Sequence, residues 1–297
     1  MPNRSFPRTL HHRAKEPDVI TAATASHETS PSFDIRMVDV GGQLLRVGIR
    51  RGDGSRPPLL MFNGIGANLE LAAPFFEALE HTEAVIFDVP GIGGSPAPML
   101  PYRPSTLAQL AHDLMRQLGY HGEIDVSGVS WGGGAAQQFA FQFPKVCRRL
   151  ILVATSPGAI MVPGAPNVLM KMASPRRYTD KGYMREIASE IYGGAFRKDP
   201  TLINRHAAAM KGSTQYGYTL QLLAMIGWTS LPWLWMLPQK TLVLSGTDDP
   251  LIPVINAQML ATFIPNARLH LVDDGHLFVV TDPERSAAIA EAFLGED

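Results

Sequence analysis

Short apolar runs alternate with stretches of helical periodicity along most of this chain. Residues 35–40 and 43–49 meet at Gly41–Gly42, a spacing that predicts a β-hairpin. Beyond it, Pro58–Phe62 and Ala84–Phe87 read as strands. Leu107–Leu118 has the period of a helix, Glu123–Val129 reads as a strand, Gly132–Phe143 as a helix and Leu150–Ala154 as a strand. Alternating strands and helices predict a mostly parallel sheet covered on both faces. From Ser156 to Leu237 the alternation stops, leaving helical and loop patterns with no buried strand. It resumes with the strand Thr241–Ser245, the helix Asn256–Thr262, the strand Arg268–Val272 and the helix Pro283–Phe293. The expected organisation is a flexible polar tail over residues 1–33, a core built from residues 34–156 and 238–297, and a cap inserted over residues 157–237. Such an insertion is expected over the carboxyl ends of the strands, where open α/β sheets bind ligands.

Composition narrows the function. A 297-residue chain with 45% hydrophobic and 18% charged residues suits a folded globule with a large core. Its formal net charge of −1 gives no basic field for a phosphate backbone, so nucleic acid is not an expected partner. No apolar run reaches the length of a membrane span; the nearest, Leu222–Leu237, is broken by Gly227 and Pro232. The tail has no continuous apolar stretch of the secretory kind. The single cysteine, Cys147, allows no internal disulfide and reads as a small buried side chain.

The chemistry concentrates at three strand ends. Gly128-Val129-Ser130-Trp131-Gly132 joins a strand to a helix. A serine on so sharp a turn is held in a strained conformation with its hydroxyl exposed, and side chains two positions to either side would collide, hence the glycines. The backbone N–H of Trp131, at the helix start, can point at a developing oxyanion. A second donor is expected from the loop Asn63-Gly64-Ile65-Gly66, through the backbone of Ile65, with Asn63 bracing the turn. The loop Asp88-Val89-Pro90-Gly91-Ile92-Gly93-Gly94-Ser95 reads as structural, since it lacks the Lys-Ser/Thr of a phosphate-binding loop. The third strand end, Gly246-Thr247-Asp248-Asp249-Pro250, supplies the acid: Asp249 by position, with Asp248 as the alternative. His276, in Asp273-Asp274-Gly275-His276 after the last strand, is the expected general base. The order Ser, Asp, His is that of a hydrolytic triad on a doubly wound sheet. Such a site needs neither metal nor cofactor. Arg176–Arg177 reads as a solvated or ion-paired couple rather than a ligand site.

With these motifs the chain resembles the α/β-hydrolase superfamily over about Met37 to Leu294, which implies the α/β-hydrolase fold: a doubly wound, mostly parallel sheet with a helical cap insertion. A finer resemblance runs through Val129-Ser130-Trp131-Gly132-Gly133, Gln137-Gln138-Phe139-Ala140, Ala154-Thr155-Ser156-Pro157-Gly158, Met161-Val162-Pro163-Gly164, Met172-Ala173-Ser174-Pro175-Arg176-Arg177-Tyr178 and Gly275-His276-Leu277-Phe278. These stretches look like the intracellular medium-chain-length poly(3-hydroxyalkanoate) depolymerases of bacteria. The resemblance implies a serine ester hydrolase with catalytic Ser130, Asp249 and His276 and an oxyanion hole at Ile65 and Trp131. It further implies a hydrophobic polyester or medium-chain ester as substrate, and a cytoplasmic location at the surface of polyester granules. The related polyester synthases carry cysteine at the elbow; Ser130 favours hydrolysis. Two rival readings stay open: an esterase acting on small soluble esters or carbon–carbon bonds, and a non-catalytic granule-binding protein. The insertion's many Met and Trp residues fit both a cap core and an acyl channel.

Overall fold

A computed structural model of the chain describes residues 33–210 and 214–296. Eight strands form one sheet: β1 Phe33–Val40, β2 Gln43–Arg50, β3 Leu59–Phe62, β4 Ala84–Phe87, β5 Ile124–Val129, β6 Cys147–Val153, β7 Lys240–Gly246 and β8 Ala267–Val272. Their spatial order is β1-β2-β4-β3-β5-β6-β7-β8. The β1–β2 hairpin, turned at Gly41 and Gly42 with positive φ, pairs antiparallel to β4, and all remaining pairings are parallel. Because the order reverses around β3 and β5, the C-terminal ends of these neighbours open into a crevice. The tail expected over residues 1–33 lies outside the described residues except for Phe33, which begins β1.

Why the central strands read as unbroken apolar runs is visible in their packing. Alternate residues of β3 point to opposite faces, and both faces are buried. Leu60 and Phe62 join Val85, Val126, Phe139 and Leu150 on one side, packed under the helices Pro104–Gln117 and Trp131–Gln142. Leu59 and Met61 join Phe76, Ile86, Ile151 and Phe293 on the other, where the helix Pro283–Leu294 lies. β6 begins three residues earlier than its apolar run because Arg148 and Arg149 have partners within the fold. Arg148 pairs with buried Asp125, and Arg149 donates to the Phe293 carbonyl at 2.9 Å. Desolvation raises the Asp125 carboxyl above its usual range even beside Arg148. Cys147 is buried, and burial pushes its thiol well up, away from reactivity.

Between β6 and β7 the chain runs through the helices Pro166–Ala173, Arg176–Thr179, Lys181–Tyr192, Ala195–Lys198, Pro200–Ala209 and Gln215–Met225, then a 3₁₀ turn at Leu231–Met236. Their apolar faces form a third core with Met184, Ile187, Ile191, Phe196 and Tyr218, which also takes in Ile65, Ala67 and Leu71 after β3 and Leu251 after β7. The inserted helices are therefore packed on the loops at the strand ends. No helix among the described residues is long and apolar enough to cross a membrane.

Candidate active site

Ser130 follows β5 directly and opens the helix Trp131–Gln142. Its backbone has φ 54° and ψ −118°, a region that L side chains rarely adopt. The turn is held on both sides: the Ser130 amide donates to Val153 at 2.8 Å, and its carbonyl accepts from Gly133 N at 2.9 Å and Thr155 Oγ1 at 2.7 Å. Two flanking glycines have no alternative. A Cβ on Gly128 would stand 2.3 Å from the Gly132 carbonyl oxygen, and one on Gly132 would stand 2.2 Å from that of Phe62. Backbone oxygens cannot swing aside, so the strained serine is fixed by close approach of three main-chain segments.

The loop after β3 lies against this turn. A Cβ added to Gly64 would come within 3.8 Å of the Val129 oxygen and 3.9 Å of Ser130 Cβ. Asn63 holds the loop shut, accepting from Gly64 N at 2.9 Å and donating to the Asn68 carbonyl at 3.0 Å. Among the described residues no carbonyl takes up the amides of Ile65 or Trp131, the two donors expected to face an oxyanion. Asp88, deeply buried, secures the same region from below through Leu69 N at 2.7 Å, Gly94 N at 2.8 Å and Arg46 at 3.2 Å. Desolvation raises its carboxyl above the usual range, against the opposing pull of these donors.

His276 follows β8 and is 2% exposed, with Nδ1 2.7 Å from Asp249 Oδ2. The other carboxylate oxygen of Asp249 accepts from the amides of Leu251 and Ile252, each at 2.9 Å. Asp248 turns the other way, pairing with Arg197 and accepting from Gly194 N at 2.8 Å. Asp249 is thus the carboxylate that meets the histidine. Ser130 and His276 line one cavity of about 40 Å³, walled by apolar side chains such as Ile65, Leu71, Phe75 and Met172. A second cavity of about 200 Å³ also reaches Ser130, between Trp131, Met161, Met225 and Ile252.

Four residues of the insertion that no sequence motif marks are built into this site. Arg177 is 1% exposed rather than solvated; it donates to the Ile65 carbonyl at 3.0 Å, Tyr218 Oη at 2.9 Å and Tyr192 Oη at 3.1 Å. Gln221 accepts from Gly66 N at 2.6 Å through its side chain and from Trp131 Nε1 at 2.8 Å through its carbonyl. The Tyr192 carbonyl accepts from His276 N at 2.7 Å, and its ring lies parallel to the imidazole at 6.4 Å. His206 lines the smaller cavity. No local spacing marks these residues, because their roles arise only when the inserted helices pack on the loops.

Known proteins agree with this architecture. A family described as the alpha/beta hydrolase fold matches residues 57–283. The chain is 51% identical over 266 residues to a poly(3-hydroxyalkanoate) depolymerase of Ectopseudomonas oleovorans, covering 89% of this chain and 94% of the relative. It is 27% identical to a 2-hydroxymuconate semialdehyde hydrolase of Pseudomonas putida, over 87% of this chain and 95% of that one. The crystal structure of an enol-lactonase from Burkholderia xenovorans LB400 superposes with a TM-score of 0.76 at 23% identity, covering 88% of this chain and all of the other. The sheet order, the strained serine turn and these matches together place the chain in the α/β-hydrolase fold family, where it resembles the poly(3-hydroxyalkanoate) depolymerases.

Proposed function

We propose that this protein is a serine ester hydrolase that cleaves poly(3-hydroxyalkanoate) through an acyl-enzyme. The observation that carries the chemistry is the hydrogen bond from His276 to buried Asp249 in a cavity shared with Ser130 on its strained turn. Asp249 accepts a hydrogen bond from Nδ1–H, which leaves Nε2 as the acceptor that a general base needs. Ser130 Oγ gives up its proton to His276 as it attacks the ester carbonyl. The amides of Ile65 and Trp131 receive the oxyanion. His276 then protonates the departing alcohol, and afterwards activates water to release the acid.

The substrate class rests on the 51% relative and on the apolar character of both cavities at Ser130. Residues 157–237 act as the cap over this site, and Met161, Met172 and Met225 give its walls adaptable, unbranched side chains. Exposed apolar side chains suit a hydrophobic granule surface in the cytoplasm. Met99, Leu100, Tyr216, Leu223 and Ile226 are all exposed, and Arg103 ties the loop bearing the first two to the Ile226 carbonyl at 2.8 Å. The test is release of hydroxyacids from dispersed polyesters of different side-chain length, beside soluble short esters. Hydroxyacid release from medium-side-chain polyester is expected. Turnover of short soluble esters with no attack on polyester would replace this reading by a small-ester hydrolase.

A further inference from the structure

His206 sits on the inserted helix Pro200–Ala209, whose last turn is tied to the oxyanion side of the sheet by Asn68 Nδ2 donating to the Ala209 carbonyl at 3.4 Å. Its side chain is 4% exposed and lines the same cavity as Ser130 and His276. Two aromatic rings fix its plane: Tyr192 meets it edge-on at 5.4 Å and Phe196 at 5.6 Å. Tyr192 is the same ring that lies parallel to His276, so one tyrosine neighbours both imidazoles. Neither ring nitrogen of His206 has a hydrogen-bond partner among the described residues. Buried polar atoms in folded proteins are nearly always partnered, so a wholly unpartnered imidazole in a substrate cavity points to a partner supplied by the substrate.

The cavity is otherwise apolar, apart from the catalytic groups, Asn63, Arg177 and Tyr192, whose hydroxyl accepts from Arg177. A plain fatty acyl chain offers nothing for an imidazole to bind. A 3-hydroxyacyl chain does, because each unit carries an oxygen two carbons from the carbonyl under attack. Resting on the polyester reading above, we propose that His206 is a specificity-determining residue that hydrogen-bonds an oxygen of the acyl chain bound at Ser130. That oxygen is either the 3-hydroxyl of a terminal unit or an ester oxygen of the next unit in the chain. Burial, followed by the nearby charge of Arg177, pushes the imidazole down to about 4. At neutral pH it therefore presents one N–H donor and one nitrogen acceptor. The donor serves an ester oxygen, and the pair together serve a free hydroxyl.

The experiment compares kcat/KM on ethyl octanoate, ethyl 3-hydroxyoctanoate and the ethyl ester of the 3-hydroxyoctanoate dimer, for wild type, His206→Phe and His206→Gln. Wild type is expected to favour the oxygenated esters. His206→Phe keeps an aromatic body between Tyr192 and Phe196 and should cut that preference, read as the ratio of kcat/KM on the oxygenated esters to that on ethyl octanoate, about tenfold, the worth of one net hydrogen bond. His206→Gln keeps a donor and an acceptor and should restore part of the preference. A loss confined to the hydroxy ester identifies the free hydroxyl as the partner; a loss confined to the dimer identifies the chain ester. Equal loss on all three substrates, or a wild type indifferent to the 3-oxygen, overturns the proposal, and the second outcome does so even if His206→Phe fails to fold. Failure of the polyester reading looks different: wild type then releases nothing from dispersed polyester.

Discussion

Asp249→Asn is expected to lower kcat by about 10⁴-fold, the loss that the same change of a triad acid causes elsewhere, and the geometry says why. In the wild type one carboxylate oxygen accepts from the amides of Leu251 and Ile252 at 2.9 Å, and the other accepts from His276 Nδ1 at 2.7 Å. An asparagine has a single acceptor oxygen. If that oxygen stays with the two amides, the NH₂ group faces Nδ1, which must then accept. The imidazole proton moves to Nε2, and nothing remains to take the Ser130 proton. In the other orientation the NH₂ group opposes two backbone donors. Leaving those two buried donors unpaired costs about 2–6 kcal/mol together, so the unproductive tautomer dominates by roughly 30-fold to 10⁴-fold. Asp248→Asn is the control. It loosens a half-exposed pair with Arg197, and such pairs contribute about 0–1 kcal/mol, so kcat should stay within about fivefold. Steady-state hydrolysis of p-nitrophenyl octanoate by both variants, with matched thermal melts, is the assay. A folded Asp249→Asn enzyme within tenfold of wild type, or an Asp248→Asn enzyme the more impaired, would refute the tautomer argument.

Ser130→Ala and His276→Ala should each reduce kcat by about 10⁶-fold with unchanged circular dichroism, and a serine-directed fluorophosphonate should label the wild type but not Ser130→Ala. Across p-nitrophenyl esters from acetyl to dodecanoyl, kcat/KM should climb by about fourfold per methylene, from about 0.8 kcal/mol each, and then level off when the apolar walls are filled; a maximum at acetyl contradicts an acyl channel. Stability should fall in acid through His206. Its folded pKa, about 4, lies below the ordinary histidine value of 6.5, so the unfolded chain takes up the proton first. Its contribution is intact above pH 6.5, declines as pH falls toward 4, and amounts by then to a loss of about 3 kcal/mol. Urea midpoints at pH 7.5 and 4.5 should therefore differ less for His206→Gln than for wild type, and an identical difference in both proteins contradicts the assignment.

The sheet was legible because parallel strands buried on both faces leave unmistakable apolar runs, such as Leu59–Phe62 and Ala84–Phe87. It was less legible where polar groups are satisfied inside the fold: Arg148 and Arg149 conceal the start of β6 because their partners, Asp125 and Phe293, are distant in sequence. The serine turn could be read directly, since its glycines are demanded by contacts within five residues and by one neighbouring strand. The choice of Asp249 over Asp248 rested on position after the strand alone. Adjacent carboxylates after a strand differ only in which way the turn points them, and that depends on Leu251 and Ile252 offering amides on one side and Arg197 offering charge on the other. Arg177 shows the limit most clearly. Its neighbour Arg176 is exposed against Asp180, yet one residue further along a short helix the side chain is buried against the Ile65 carbonyl.

That contact changes what the insertion does. A cap that merely covered a finished site would leave the loop after β3 and the histidine loop to be held by the sheet. Here the Ile65 carbonyl is held by Arg177, the Gly66 amide and the Trp131 indole by Gln221, and the His276 amide by the carbonyl of Tyr192. Two of the loops that must keep a precise mutual geometry, those after β3 and β8, thus share hydrogen bonds with the inserted helices, and Ile65, Leu71 and Leu251 share their apolar core. The backbone of the strained Ser130 turn is set by the sheet, its own helix and Thr155. The inserted helices and the geometry of the candidate site are consequently one mechanical unit. Substitutions at Arg177 or Gln221 should be felt at the oxyanion donors, in kcat more than in KM, because those donors matter most when charge develops on the substrate oxygen.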